Sequence, residues 1–402
     1  MAEFLQVVSY EEAVARLKCS LKQRFEEEIP LLNSRGRVLS RPILSPEDMP
    51  AFNRSTVDGY AVNAVDSFGA SESLPAFFQC IGAVPMGSAP TFSLESGRCA
   101  WIPTGGMMPM GGDAAVMVEY TEKLGDDTIL AYRPVSPGEN VMLKGEDVSS
   151  GQVLFSAGHR LRPQDIGLLA SLGVERVLAF SPYRIGIISS GDEVVPVKQA
   201  PAPGQVRDVN SYSLAAAVEE KGHLPCIYPL VGDDMEQLRG MVAKSLQEND
   251  ITLLSGGSSV GIADLTVDVL LSFAGAELLF HGLAVKPGKP TLGVKIKDGV
   301  VIGLPGHPVS ALMMFQVLSR YLLESRPIFH INARLSHNIA SQPGRDDFIP
   351  VELSEEGGRW AARPLLGKSG LMGILARANG YIHIKSVYQG LKEGETCRVY
   401  LF

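Results

Sequence analysis

Cysteine, long apolar runs and paired histidines are all scarce in this chain, and each scarcity closes off a class of protein. Five cysteines, Cys19, Cys80, Cys99, Cys226 and Cys397, are scattered over 402 residues, an odd number with no C-x-x-C pair. A disulfide framework or a thiolate zinc site is therefore not expected, and a reducing cytoplasm is. No apolar stretch approaches the roughly 20 residues of a membrane-spanning helix, and the amino terminus lacks the basic-then-apolar order of a signal peptide, so no membrane association is expected. The seven histidines form no H-x-x-x-H pair, so a bound metal would meet oxygen ligands. A net charge of −8 argues against a protein that coats nucleic acid. What is left is a soluble globular chain, 45% hydrophobic and 20% charged, long enough for roughly two to four domains.

The chain is organised around residues 251–264, where Ile251, Thr252, Leu253 and Leu254 run into Ser255, Gly256, Gly257, Ser258, Ser259, Val260 and Gly261, and Ile262 and Ala263 lead to Asp264. This reads as a strand, a loop and a helix over 264–273. Glycines in such a loop let backbone N–H groups approach an anion, and the helix start adds partial positive charge. A tight turn without a ligand is the competing reading. Around this stretch, residues 183–325 alternate strand and helix. Strands are predicted at 184–189, 225–230, 251–254, 291–294 and 300–303, and helices at 212–221, 233–247, 264–273 and 309–323, the pattern of a doubly wound α/β domain with its site at the strands' carboxyl ends.

The flanks differ in texture. Residues 9–25 carry a capping box, Ser9 with Glu12, and an apolar face of Ala13, Val14, Leu17 and Leu21, so an amphipathic helix is predicted. A second helix over 162–173 is expected to pack back on it. Between them, short alternating runs at 77–84, 98–102, 114–119 and 128–132 predict a small β-barrel or sandwich. Beyond Pro327, short runs return as an all-β domain. The expected division is a discontinuous helical linker domain over 1–45 and 146–180, an inserted β-barrel domain over 46–145, an α/β domain over 181–326 and a carboxyl-terminal β-barrel domain over 327–402. No internal repeat interrupts this order.

Two kinds of chemical group gather in the predicted α/β loops. Asp192, Glu193, Asp233 and Asp264 are carboxylates suited to a hard cation such as Mg²⁺. Lys286 and Lys289, with the backbone of 255–261, are suited to phosphate or another oxyanion. Helix capping competes for Asp233 and Asp264, both at predicted helix starts. Arg345 and the loop around Ser369 are polar enough to contribute at the edge of a site, a solvated surface being the alternative. The pairing of acidic metal site and anion cradle fits phosphoryl or nucleotidyl chemistry. G-x-x-x-x-G-K-[ST] and G-x-G-x-x-G with its acidic partner are both missing, which argues against a P-loop and a dinucleotide fold, and the cysteines sit outside the loops.

Six spaced motifs carry a resemblance. They are FNRSTVDGYAV at 52–62, GED at 145–147, SGDE at 190–193, SGGSSVGIAD at 255–264, KPGKP at 286–290 and GLPGHPVS at 303–310. In this order the chain resembles the molybdopterin molybdenumtransferases, the MoeA and gephyrin E-domain type. The resemblance implies a MogA-like α/β domain and a cytoplasmic homodimer. It implies an enzyme that takes adenylylated molybdopterin and molybdate, with Mg²⁺ as cofactor, and releases AMP and molybdenum cofactor. It further implies that Glu193, Asp233 and Asp264 are metal-associated, and that Asp58, Thr104 and Asp147 come from the partner subunit. Ser255, Gly256, Gly257, Ser259, Lys286, Lys289, Ser310, Arg345 and Ser369 would bind substrate, with Pro305 and Pro308 shaping the molybdate pocket. A molybdopterin adenylyltransferase and molybdoenzymes are the implied partners. Two rival functions are a non-catalytic gephyrin-like binding scaffold and a molybdopterin adenylyltransferase. Ser258, Ile262, Gly282 and His307 depart from the family's usual pattern.

Overall fold

The structure, a computed structural model, describes residues 7–256, 262–323 and 329–402, with the backbone alone for 262–265. The chain divides into two compact units, one of Met1–Glu27, Gly36–Val38 and Ala179–Phe402, the other of Glu28–Arg35 and Leu39–Leu178. Helix α1 (Tyr10–Ser20) opens the larger unit. The Ser9 hydroxyl accepts from the Glu12 amide at 3.1 Å, which satisfies one of the free N–H groups of the first turn. Its buried face, Tyr10, Ala13 and Leu17, joins the core beneath the α/β sheet beside Met313, Met314 and Val317. That face is spent on the α/β domain instead of on the later helix, the partner expected from sequence.

The smaller unit is built on strands β1 (Gly59–Val62), β2 (Ala76–Ala83), β3 (Arg98–Ile102), β4 (Ala114–Met117), β5 (Thr121–Leu124) and β6 (Thr128–Ala131), in the order β4-β1-β3-β2-β6-β5. Alternate residues serve two cores. Val62, Phe78, Cys99, Val116 and Ile129 pack on one face, and Ala61, Ala100, Ile102 and Ala115 on the other. The sheet stays open as a half-barrel where a barrel is expected. Helix α2 (Pro163–Ser171) begins at a proline that suits its first turn. Buried Asp165 caps it, accepting from the Arg162 amide at 2.9 Å and from the Arg162 guanidinium at 2.8 Å.

The larger unit carries β7 (Arg184–Ser189), α3 (Asn210–Glu220), β8 (Leu224–Ile227), α4 (Met235–Glu248), β9 (Ile251–Ser255), α5 (Ile262–Leu271), β10 (Ala276–His281), β11 (Leu292–Ile296), β12 (Gly299–Leu304) and α6 (Pro308–Leu322). The sheet order is β8-β7-β9-β12-β11-β10. The first four run parallel, and β11 and β10 add an antiparallel edge. Ile185, Ile187, Leu253 and Ile302 pack towards α3 and α6, while Ile188, Leu254 and Val301 pack towards α4 and α5. Burial on both faces explains why these strands read as nearly unbroken apolar runs. The chain leaves β7 for β8 on one side and returns to β9 on the other, so a topological switch point opens at the carboxyl ends of β7 and β9.

Strands β13 (His330–Leu335), β14 (Asp346–Glu356), β15 (Arg359–Pro364), β16 (Gly380–Ile384) and β17 (Thr396–Leu401) complete the unit. They close in the order β14-β15-β13-β17-β16, with β16 returning to β14. Ile349, Val351, Ala362, Ile382 and Val399 fill this barrel. The α/β domain is joined to it by backbone pairing, Val285 with Asp346 and Lys286 with Asp347. No described helix is long and apolar enough to cross a membrane.

Candidate functional site

The switch point collects the first group of candidates. Asp192 follows β7, and its carboxylate accepts from the Asp233 amide at 2.9 Å. Burial, together with the charges of Asp192 and Glu193, pushes the Asp233 carboxyl above its ordinary value. Helix capping falls to the next residue, since Asp234 accepts from the Gln237 amide at 2.8 Å at the start of α4. Asp233 is thus left uncommitted beside two other carboxylates. Among the described residues, no group of three or more His, Cys, Asp or Glu side chains is gathered tightly enough to hold a metal by protein ligands alone. The half-buried Asp233 carboxylate, with Asp192 and Glu193 as like-charged neighbours, nonetheless fits a hard cation such as Mg²⁺, which keeps much of its water and relieves the like-charge repulsion. Asp264 sits in the first turn of α5, but its side chain, like Gly257 and Ser259, lies outside what is described.

Ser255 ends β9 fully buried, and Gly256 then turns with φ +133°. A Cβ on Gly256 would stand 2.2 Å from the Ser190 carbonyl oxygen, so only glycine fits where the two loops touch. Asn210, the first residue of α3, reaches across the strand ends. Its amide nitrogen donates to Ser255 Oγ at 2.5 Å and to the Gly306 carbonyl at 2.9 Å. The helix predicted from residue 212 in fact begins two residues earlier, at Asn210, which places this side chain at the strand ends. Asp208, two residues before Asn210 in the chain, accepts from Ser189 Oγ at 3.2 Å and from the Ser211 amide at 3.0 Å, and a buried Asp-x-Asn ahead of a helix was the available signal.

The second group lines a cleft of about 950 Å³ where the α/β domain meets the carboxyl-terminal barrel. Lys286, Lys289, Ser310, Arg345 and Ser369 all contribute, and among the described residues no acidic side chain lines it. The lysines hang from a tight loop that lies on α6, where Gly288 adopts φ +107° against Met314. Arg345 is aimed from behind, since its Nε donates at 2.9 Å to Asp347, whose side chain is wholly buried. That leaves the terminal nitrogens of the guanidinium for another partner. Ser369 Oγ lies 2.9 Å from His307 Nδ1, and its carbonyl accepts from the Val309 amide at 3.0 Å, which ties the barrel loop to the start of α6. Pro305 is buried and Pro308 opens α6.

The third group lies in the smaller unit. Asp58 is exposed and accepts at one oxygen from both the Thr104 amide, at 2.7 Å, and the Thr104 hydroxyl, at 3.0 Å. These bonds, the backbone one foremost, hold its carboxyl below the ordinary value. Asp147 is exposed on a loop knitted to the same region, its amide donating to the Met49 carbonyl and the Lys144 amide to Asn53 Oδ1.

A doubly wound domain with carboxylates at its switch point, followed by a β-barrel that helps enclose a cationic cleft, is an arrangement suited to an anionic ligand. Comparison with known proteins makes this specific. Three family models match in order, "MoeA N-terminal region (domain I and II)" over residues 8–173, "Probable molybdopterin binding domain" over 186–325 and "MoeA C-terminal region (domain IV)" over 332–402. The molybdopterin molybdenumtransferase of Nostoc sp. is 34% identical over 73% of this chain and 67% of its own length. That of Bacillus subtilis is 29% identical over 100% of this chain and 95% of its own. The solved molybdopterin biosynthesis MoeA protein of Pyrococcus horikoshii superposes with a TM-score of 0.85 at 31% identity, covering 99% of this chain and 100% of that one. The chain belongs to the MoeA family of molybdopterin molybdenumtransferases, and it is a transferase.

Proposed function

We propose that the protein inserts molybdate into adenylylated molybdopterin and releases AMP and molybdenum cofactor, acting as a cytoplasmic homodimer. The observation that carries this reading is the cleft in which Lys286, Lys289 and Arg345 converge with Ser310 and Ser369 and no described carboxylate intrudes. Such a pocket suits a small tetrahedral oxyanion, with cations balancing charge and hydroxyls donating to its oxygens. Pro305 and Pro308, which precede the lining residues Val309 and Ser310, would shape the molybdate pocket from that side. The phosphates of the substrate would meet the backbone of Ser255, Gly256, Gly257 and Ser259. Glu193, Asp233 and Asp264 would hold Mg²⁺, which when bound neutralises phosphate charge during cleavage of the adenylate. Asp58, Thr104 and Asp147, supplied by the partner subunit, complete the polar wall. A molybdopterin adenylyltransferase would supply the substrate and a molybdoenzyme would accept the product.

Incubation with adenylylated molybdopterin, molybdate and Mg²⁺ should release AMP, and Asp233→Asn should slow release by roughly 100-fold or more, as expected for loss of a group that acts on developing charge. Release that is no faster than in a Mg²⁺-free control rules the reading out. ATP consumption with unmodified molybdopterin, without any need for molybdate, would point to an adenylyltransferase instead.

A further inference from the structure

The sheet ladder between β9 and β12 ends at the pair Ser255 and Leu304. Past that pair, Gly256 and Gly306 carry the two segments beyond the strand ends. Asn210 bridges them there, with one hydrogen of its amide nitrogen on Ser255 Oγ at 2.5 Å and the other directed at the Gly306 carbonyl at 2.9 Å. The orientation of the amide is fixed by this arrangement. Turned over, its oxygen would face the Gly306 carbonyl, acceptor against acceptor. Asn210 is only 8% exposed, and its Oδ1 is buried with no hydrogen-bond partner among the described residues. A residue selected for stability alone would not leave that oxygen unsatisfied, because a buried acceptor without a donor opposes folding. What the side chain does supply is a two-pronged donor at one point in space.

We propose that Asn210 is a positioning residue, a clamp that extends the β9–β12 ladder by one side chain and fixes the spacing of the two strand-end loops. One loop leads into the residues proposed above to meet phosphate, and the other carries Pro305 and Pro308. The clamp rests on the proposed molybdenumtransferase reading for its consequence in catalysis, though not for its geometry. Asn210→Ala removes both donors and the unsatisfied oxygen together, so the fold should lose little while the loops lose their fixed spacing. Asn210→Asp keeps the shape but sets an acceptor against the Gly306 carbonyl.

The test follows both variants of the full chain by amide hydrogen exchange, thermal melting and AMP-release kinetics. Exchange at Gly256 and Gly306 should rise together in both variants by roughly 10-fold or more. The fall in activity should lie in kcat, about 10-fold to 100-fold, with KM nearly unchanged, since misplacement acts on the reacting geometry. For Asn210→Ala the midpoint of melting should stay within about 2 °C of the parent. Faster exchange at only one of the two glycines, or at neither, overturns the clamp. A lowered melting point with kcat unchanged per folded molecule overturns it as well, by making Asn210 merely structural. Exchange needs no substrate, so a parent protein that releases no AMP would remove the functional reading while the exchange data still decide the clamp.

Discussion

Asp58 and Asp233 are carboxylates moved in opposite directions by their immediate neighbours. Two donors from one residue, Thr104, hold Asp58 below its ordinary value, whereas burial and the like charges of Asp192 and Glu193 lift Asp233. A depressed carboxyl contributes stability that is present above its unfolded pKa, ~3.9, and lost as pH falls through the folded one. Because Asp58 is exposed, that contribution is small, and the more telling measurement is the titration itself. Thr104→Ala removes the hydroxyl donor but keeps the amide, so the Asp58 carboxyl should titrate at higher pH than in the parent, though still below an unperturbed Asp, as followed by carboxyl carbon NMR. A titration unchanged by the substitution would mean that the amide does all the work. The same scale sets a limit on what the sequence could say. Asp233 and Asp234 stand side by side at a helix start, and composition cannot decide which one caps. The structure assigns the cap to Asp234, and that assignment is what leaves Asp233 available.

Among the elements, the loop 286–290 depends on its fit against α6. A Cβ on Gly288 would stand 2.2 Å from Met314 Cγ, in a backbone region, φ +107°, that side chains disfavour. Gly288→Ala should destabilise by about 1–3 kcal/mol through overpacking and strain, and it should weaken molybdate binding by displacing Lys286 and Lys289. Gly167 is the control. It is exposed in the middle of α2 with nothing within 4 Å of its would-be Cβ, so Gly167→Ala should stabilise by roughly 0.5–1 kcal/mol. Chemical denaturation of the two variants gives both signs in one experiment, and equal effects would mean that the packing of Gly288 on α6 has been misjudged. Legibility at this scale followed burial. Strands β7, β9 and β12 stood out because both of their faces are covered, and α1 because Ser9 and Glu12 mark its start. The edge strand β10 was missed, since Glu277 and Leu278 are exposed and break the apolar run. Strand β1 was hidden inside a motif whose polar residues drew attention to its loop.

At the scale of the whole molecule, motif order revealed more than periodicity did. Six short motifs identified the family and the α/β domain, yet no pattern in the sequence predicted that α1 would pack on α6 or that Asn210 would join two loops, because both depend on contacts between distant segments. The functional proposal adds a demand on assembly. Asp58, Thr104 and Asp147 belong to the smaller unit, while Glu193, Asp233 and the cationic cleft belong to the larger. If each active site draws the first set from one subunit and the second from the other, an Asp58→Asn chain and a Glu193→Gln chain should each be inactive alone. Mixed and allowed to exchange, they form heterodimers in which one site carries both defects and the other carries neither. Random exchange makes half of the dimers mixed, each with one intact site of two, so AMP release should recover to about a quarter of the parent rate. Analytical ultracentrifugation of the same samples establishes that dimers are present, and differential tagging establishes that they have exchanged. Mixed dimers without recovered activity would place both sets of residues in one chain, and a monomer at assay concentration would exclude the shared site outright.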